Sequence, residues 1–188
     1  MRVFILNSLE QRDNKICETI RDEIIQMGWE VNVFHLHDKR IAPCQGCYGC
    51  FFRTPGICLI NDDGREAARL AVQNDLLIFL TPVTFGGYSS TLKQAVDRLI
   101  QIVLPFVMKV NGEYHQKPRY GRYPRLIGIG VLPCFDKESE NIFRTLVARN
   151  AINLCCSSNS ACVLGRDYTQ DRVKEEVNTL FAKFGMDE

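Results

Sequence analysis

Residues 75–103 read DLLIFLTPVTFGGYSSTLKQAVDRLIQIV, and this stretch decides the fold. Residues 75–82 (DLLIFLTP) are a short, continuous apolar run, which predicts a strand buried on both faces. A polar, glycine-bearing loop follows over 83–90. Ser89 or Ser90 then caps a helix predicted over 90–103, with Leu92, Val96, Leu99 and Val103 on one stripe, and Pro105 ends it.

The same alternation continues on both sides. Upstream, 2–7 (RVFILN) reads as a strand and 14–27 as a helix, with Ile16, Ile20, Ile24 and Ile25 at helical spacing and Gly28 as its stop. Residues 30–36 (EVNVFHL) alternate as a second strand. A helix is predicted over 63–73, with Asp62 or Asp63 as its cap. Downstream, 125–132 (RLIGIGVL) is a strand, 138–150 a helix, 151–164 contains a last strand, and 170–184 is a closing helix. Short apolar strands alternating with helices pair in parallel through right-handed crossovers. Five of them predict an α/β, three-layer, doubly wound sheet in the order 2-1-3-4-5. The expectation is one domain over 1–188, with a cysteine-rich loop at 41–61 and an irregular basic and aromatic insert at 105–124.

Charge and composition exclude several classes. Twenty-three Lys and Arg against 22 Asp and Glu leave a net charge of +1, which argues against a nucleic-acid binder. Apolar runs such as 76–80 and 102–108 are far below the roughly 18 residues of a membrane span, and 1–7 is too short for a signal peptide, so a cytoplasmic protein with no membrane partner is expected. Nine cysteines in 188 residues are too few for a disulfide scaffold, and an odd number cannot all pair. In a reducing compartment, clustered thiols point to metal or redox chemistry.

In such a sheet, ligands bind beyond the strand ends where the order reverses, here the loops at 7–14 and 82–90 with 132–136 alongside. Loop 7–14 offers Ser8, Arg12 and Asn14 at a helix N-terminus, a place for a phosphate; Glu10 and Asp13 oppose that unless they turn away. There is no GxGxxG, which disfavours a dinucleotide on this strand. Pro82, Val83, Thr84, Phe85, Gly86 and Gly87 offer close backbone approach and an aromatic wall to a planar ligand; the plainer reading is a strand-to-helix turn. Cys134 follows the fourth strand and lines the same edge. His35, His37 and His115 show no metal spacing; His35 and His37 are expected to face one side of the sheet.

Four of the nine cysteines lie in Cys44-x2-Cys47-x2-Cys50-x7-Cys58, behind Pro43. Three thiols at x2 spacing with a fourth returning from a short loop suit a [4Fe–4S] cluster. Structural zinc usually takes two separated pairs, and reduced, empty thiols are the third reading. Cys155, Cys156 and Cys162 read as small buried hydrophobes on apolar strands, and Cys17 as a helix residue without a partner.

The blocks PCQGCYGCFFRTPGICLINDD (43–63) and LTPVTFGGYSSTLKQAVDR (80–98), in this order, resemble the flavodoxin-like NAD(P)H-dependent FMN reductase superfamily, and especially its iron–sulfur flavoprotein branch. The resemblance covers about residues 1–150. It implies a five-stranded flavodoxin-like fold that binds FMN. Ser8, Arg12 and Asn14 would take the FMN phosphate, and Pro82, Val83, Thr84, Phe85, Gly86 and Gly87 would border the isoalloxazine. Cys44, Cys47, Cys50 and Cys58 would ligate the cluster. The sequence departs from the family's Gly-Ser-Pro-Arg phosphate loop, with Asn7-Ser8-Leu9-Glu10 and the arginine displaced to 12, and has Thr84 where a tyrosine is common.

The resemblance implies an oxidoreductase in which FMN accepts a hydride from NAD(P)H or electrons from a protein donor, and relays them to a cluster. No acid–base residue is expected. The redox partner would be a small molecule or a ferredoxin-type protein. The cysteine loop follows the edge strand, so a cluster there would meet FMN across a homodimer or homotetramer. A metal-free NAD(P)H-dependent FMN or quinone reductase is the first alternative. A zinc- or thiol-based interaction module on a degenerate scaffold is the second. The insert at 105–124 is expected to be a solvated or subunit-contact loop, or a flap over the flavin carrying an arginine for the NADPH phosphate.

Overall fold

The six residues of β1 (Arg2–Asn7) bury five side chains, and both faces of the strand are covered. The computed structural model describes residues 1–185; residues 186–188, the end of the expected domain, lie outside the described residues. In chain order the elements are β1, α1 (Asn14–Gln26), β2 (Glu30–His35), α2 (Gly49–Phe52), α3 (Asp63–Gln73), β3 (Leu76–Thr84), β4 (Gly87–Tyr88), α4 (Ser90–Arg98), β5 (Val103–Val110), β6 (Glu113–Pro118), β7 (Arg125–Leu132), α5 (Lys137–Asn153), β8 (Asn159–Gly165) and α6 (Gln170–Gly185).

Five strands pair in parallel in the order β2-β1-β3-β7-β8. That is the expected 2-1-3-4-5 order, and it makes the fold flavodoxin-like. Period-two alternation splits each central strand between two cores. Val3, Ile5, Ile78 and Ile129 pack with Ile16, Ile20, Val173 and Val177 of α1 and α6. Phe4, Leu6, Phe79 and Leu126 pack on the other face with Ala67, Leu92 and Phe143 of α3, α4 and α5. Gly128 on β7 allows close approach by α5, since a Cβ there would lie 2.3 Å from Val147 Cγ2.

Four expectations need correction. The segment 105–124 is not irregular: β5 and β6 pair antiparallel as a hairpin of their own. Asn111 and Gly112 form its turn at φ +48° and +92°, the Asn-Gly chemistry that favours a tight hairpin. The helix predicted over 90–103 ends at Arg98, and a 3-10 turn covers Leu99–Ile102. Pro105 therefore sits in β5, where the ladder register shifts between Val103 and Val107, as a residue lacking a donor requires. Cys155 and Cys156 lie in the turn after α5, not on a strand, with Cys155 at φ +57°. No helix among the described residues is long and apolar enough to cross a membrane.

Candidate functional site: the carboxyl edge of the sheet and the cysteine cavity

The carboxyl end of β1 is organised by side-chain hydrogen bonds. Asn7 Oδ1 accepts from Leu9 N at 2.9 Å, and its amide donates to His35 Nδ1 at 3.1 Å. His37 Nε2 donates to the Ser8 carbonyl at 3.1 Å. The two histidines thus fix the loop after β1, and both line the same groove. Ser8 is 1% exposed; Ser89 Oγ donates to Ser8 Oγ at 2.9 Å, which donates to Leu80 O at 3.2 Å. Ser8 therefore ties β1 to β3 and to the start of α4.

Beyond it, an open groove of about 800 Å³ is lined by Leu9, Glu10, Gln11, Arg12, Asn14, His35, His37 and Asp38. No side chain caps the 3-10 turn Gln11–Asp13 or the start of α1. An uncapped helical N-terminus presents N–H groups and a positive dipole end to an anion. The two acids divide. Asp13 is 4% exposed and turns inward, 2.9 Å from Arg166 Nε. Glu10 stays exposed and holds Arg12 Nε at 2.9 Å.

At the end of β3, Val83↔Tyr88 and Thr84↔Gly87 close a two-residue hairpin. Both of its central residues, Phe85 (φ +50°) and Gly86 (φ +73°), are left-handed, as the twist of such a turn demands. Phe85 takes this conformation at a cost, being neither Gly nor Asn, and its ring stands 104% exposed. Tyr88 anchors the hairpin inward by edge-on contacts with Phe79 and Phe143, ring centroids 5.6 and 5.8 Å away. Gly86 abuts α5: a Cβ there would lie 2.7 Å from Ile142 Cγ2. Cys134 and Phe135 are exposed in the neighbouring loop, just before Asp136 caps α5.

The second feature lies after the edge strand β2. Cys44, Cys47, Cys50 and Cys58 all line one narrow cavity of about 60 Å³, with Tyr48, Phe51, Ile60, Ile100, Arg98 and Gln101. A pocket of this size is too small for a flavin, which needs several hundred Å³. Gly49 allows the loop to close, because Leu59 packs where its Cβ would be, at 2.5 Å. Tyr48 holds φ +55° at the start of α2. Burial pushes the Cys50 thiol above its ordinary pKa, and the adjacent Cys58, Cys44 and Cys47 push it further. Among the described residues, no three His, Cys, Asp or Glu side chains converge as a single bound ion needs.

A buried ion pair forms the base of this loop. Arg98 donates from Nη1 to Asp62 Oδ2 at 2.8 Å and from Nη2 to Oδ1 at 2.7 Å, with the side chains 1% and 6% exposed. Arg98 also donates to the carbonyls of Ala42 (2.8 Å) and Ile60 (3.3 Å). Asp62 accepts from Ala42 N at 2.8 Å and caps α3 through Gly64 N at 3.0 Å. Cys58 is gripped by its N–H to Gln101 Oε1 (3.0 Å) and its carbonyl to Arg65 Nε (2.7 Å).

The model of NADPH-dependent FMN reductases matches residues 1–120, more than half of the chain. The chain belongs to this family. An iron–sulfur flavoprotein of Archaeoglobus fulgidus is 28% identical over 100 residues, 52% of this chain and 48% of that protein. One of Methanocaldococcus jannaschii is 35% identical over 86 residues, 46% of this chain and 44% of that protein. The chain spans about half the length of the curated relatives it matches. Among solved structures, an NAD(P)H:quinone oxidoreductase from Methanothermobacter marburgensis superposes with TM-score 0.69 at 14% identity, covering 95% of this chain and 94% of that one. An FMN-dependent NADH-azoreductase of Bacillus anthracis in complex with FMN gives 0.65 at 10% identity, covering 95% of each chain.

For this FMN reductase family member, the structure brings the sequence candidates into two groups. Ser8, Arg12, Asn14, Pro82–Gly87 and Cys134 lie at the carboxyl edge of the sheet, and the four cysteines lie around the separate cavity. Ser8 is already spent on internal hydrogen bonds. Cys17 and Cys162 are buried, and burial pushes their thiols up to about 11 and about 12, as packing residues. Sequence reasoning misses Arg98 altogether, and sees in Asp62 a helix cap but not the partner of a buried cation. The signal for Arg98 is its place between Ala95 of α4 (0% exposed) and Ile102 of the following 3-10 turn (2%), both buried.

Burial alone would raise the Asp62 pKa, but the hydrogen bonds from Arg98, Ala42 N and Gly64 N outweigh it and hold the carboxyl below its ordinary value. The stability it contributes is present above the unfolded carboxylate value of about 3.9 and is lost as pH falls through the lower folded value. Asp62→Asn is expected to flatten this acid limb. Denaturation midpoints recorded from pH 6 downward check it; an acid limb as steep as the parent's would contradict the assignment.

Proposed function

We propose that this chain is an FMN-dependent oxidoreductase whose cysteine loop holds a [4Fe–4S] cluster and relays electrons to or from the flavin. The observation that carries the flavin reading is the strained β3–β4 turn, which holds an uncovered aromatic ring at the switch point of the sheet, beside an uncapped helical N-terminus. FMN, when bound, supplies hydride and single-electron chemistry. The chain's own residues position it. The N–H groups of Gln11 and Arg12, with the side chains of Arg12 and Asn14, would hold the phosphate, while Ser8 fixes the loop from beneath; the N–H groups of Asp13 and Asn14 are spent on the Glu10 and Gln11 carbonyls. Pro82, Val83, Thr84, Phe85, Gly86 and Gly87 would border the ring and keep water from one face, with Cys134 at the rim.

The donor set fits a cluster: four thiolates around a small, apolar-walled cavity suit a cube that takes one sulfur at each of four corners. Structural zinc usually takes two separated cysteine pairs, whereas here three of the four thiols follow one another at x2 spacing. NAD(P)H is the proposed reductant, and a small molecule or ferredoxin-type protein the acceptor. The hairpin β5–β6 exposes Phe106, Val107, Met108 and Tyr114, which supports its reading as the contact of a homodimer or homotetramer.

The test is the absorption spectrum of anaerobically purified protein, with FMN by mass spectrometry and iron, sulfide and zinc by analysis. Stoichiometric FMN with four irons and four sulfides per chain is the expected result. FMN without iron would leave a metal-free flavin or quinone reductase. Zinc without flavin would establish the interaction module instead.

A further inference from the structure

Arg98 carries one polar atom that its surroundings do not use. Its two terminal nitrogens make four hydrogen bonds, to Asp62 and to the Ala42 and Ile60 carbonyls. Its Nε is fully buried and has no hydrogen-bond partner. A buried N–H without an acceptor is rare and costly to leave unmade. The side chain lines the cysteine cavity, and Cys58 is the thiol that acts on the guanidinium there. The pairing is also directional. Asp62 takes the two outer nitrogens and leaves Nε outside the pair.

We propose that Arg98 is a positioning residue of the cysteine cavity, whose free Nε–H is the donor kept for a cysteine sulfur of the loaded cavity, Cys58 first, and thereby sets the reduction potential of the cluster that the four thiols would hold. This rests on the cluster reading above. Adding one electron to a thiolate-bound cluster makes it more negative by one charge, with no bond made or broken and no proton required. A buried hydrogen-bond donor with positive charge behind it stabilises that reduced form more than the oxidised one, so it raises the potential. The four hydrogen bonds on the outer nitrogens hold the fork still, so the donor is preorganised.

The experiment is a dithionite titration of the anaerobic holoprotein, followed by electron paramagnetic resonance, on the parent and two variants. Arg98→Lys keeps a cation and loses the Nε–H. The double variant D62N/R98M removes the pair without leaving a buried charge, and the introduced amide can still cap α3. The double variant is expected to shift the reduced-to-oxidised ratio at a fixed potential about tenfold towards oxidised, about 59 mV downward for one electron, with a smaller shift in the same direction for Arg98→Lys. Iron, sulfide, FMN content and Tm are read alongside. Two loaded variants with the parent's potential overturn the proposal. So do variants that match the parent in Tm and FMN but hold no iron, which would reduce Arg98 to part of the frame. A parent that itself takes up no iron and sulfide overturns the cluster reading, and this inference with it; that result shows in the parent alone, so the two failures are told apart.

Discussion

Asp62→Ala is expected to lower the unfolding free energy by about 3–5 kcal/mol, because it leaves Arg98 as an uncompensated charge at 1% exposure. The same substitution removes the cap of α3, worth about 1 kcal/mol, and the acceptor for Ala42 N. Paired with Arg98→Met, Asp62→Ala should cost far less than it does alone, since no buried charge is left behind. Urea denaturation of the two single variants, the double variant and the parent measures the cycle. A single-variant loss below about 1 kcal/mol, or additive losses, would mean that water reaches the pair and that the loop base is not dry. The effect should appear without bound cofactor, because the hydrogen bonds of the pair all go to the protein's own groups.

Gly86→Val is the second large effect. Gly86 sits at φ +73°, where a β-branched residue is strained, and its new Cβ would meet Ile142 Cγ2 at 2.7 Å. The turn must rearrange, at a cost of about 1–3 kcal/mol. If that turn borders the flavin, FMN affinity falls about tenfold or more, since tenfold corresponds to about 1.4 kcal/mol. Phe85→Gly separates the two consequences. It relieves the strain at φ +50° and should leave stability within about 1 kcal/mol of the parent, yet it removes the aromatic wall and should also weaken FMN binding. Fluorescence titration of apoprotein with FMN reads both. Parent-like FMN affinity in both variants would place the flavin elsewhere.

The layers of this fold are legible because β1, β3 and β7 are continuous apolar runs, and nothing but a strand buried on both faces suits such short segments. The hairpin β5–β6 escapes the sequence reading, although Asn111-Gly112 is a strong local turn signal. Pro105 reads as a helix stop, and the basic and aromatic residues around the turn hide the pairing of the strands. At the candidate site, the cysteine spacing and the double glycine point to the right loops. Spacing along a chain says nothing of what a carboxylate faces, so the inward turn of Asp13 towards Arg166 could come only from the fold. Arg98 is hidden for another reason: a basic residue near the end of a helix reads as a partner for the dipole, and only the buried Ala95 and Ile102, three residues before it and four after, betray that it is buried.

The clamp made by Asp62 and Arg98 has a consequence for change in the cysteine loop. The loop leaves at Ala42 and returns at Ile60, and one guanidinium holds the carbonyls of both residues. Entry and exit are therefore fixed to a common mount, independently of what runs between them. Closing a longer loop on fixed ends costs only about 0.6 kcal/mol per doubling of its length. The length and cysteine spacing of the segment can therefore change while the sheet beneath keeps its register.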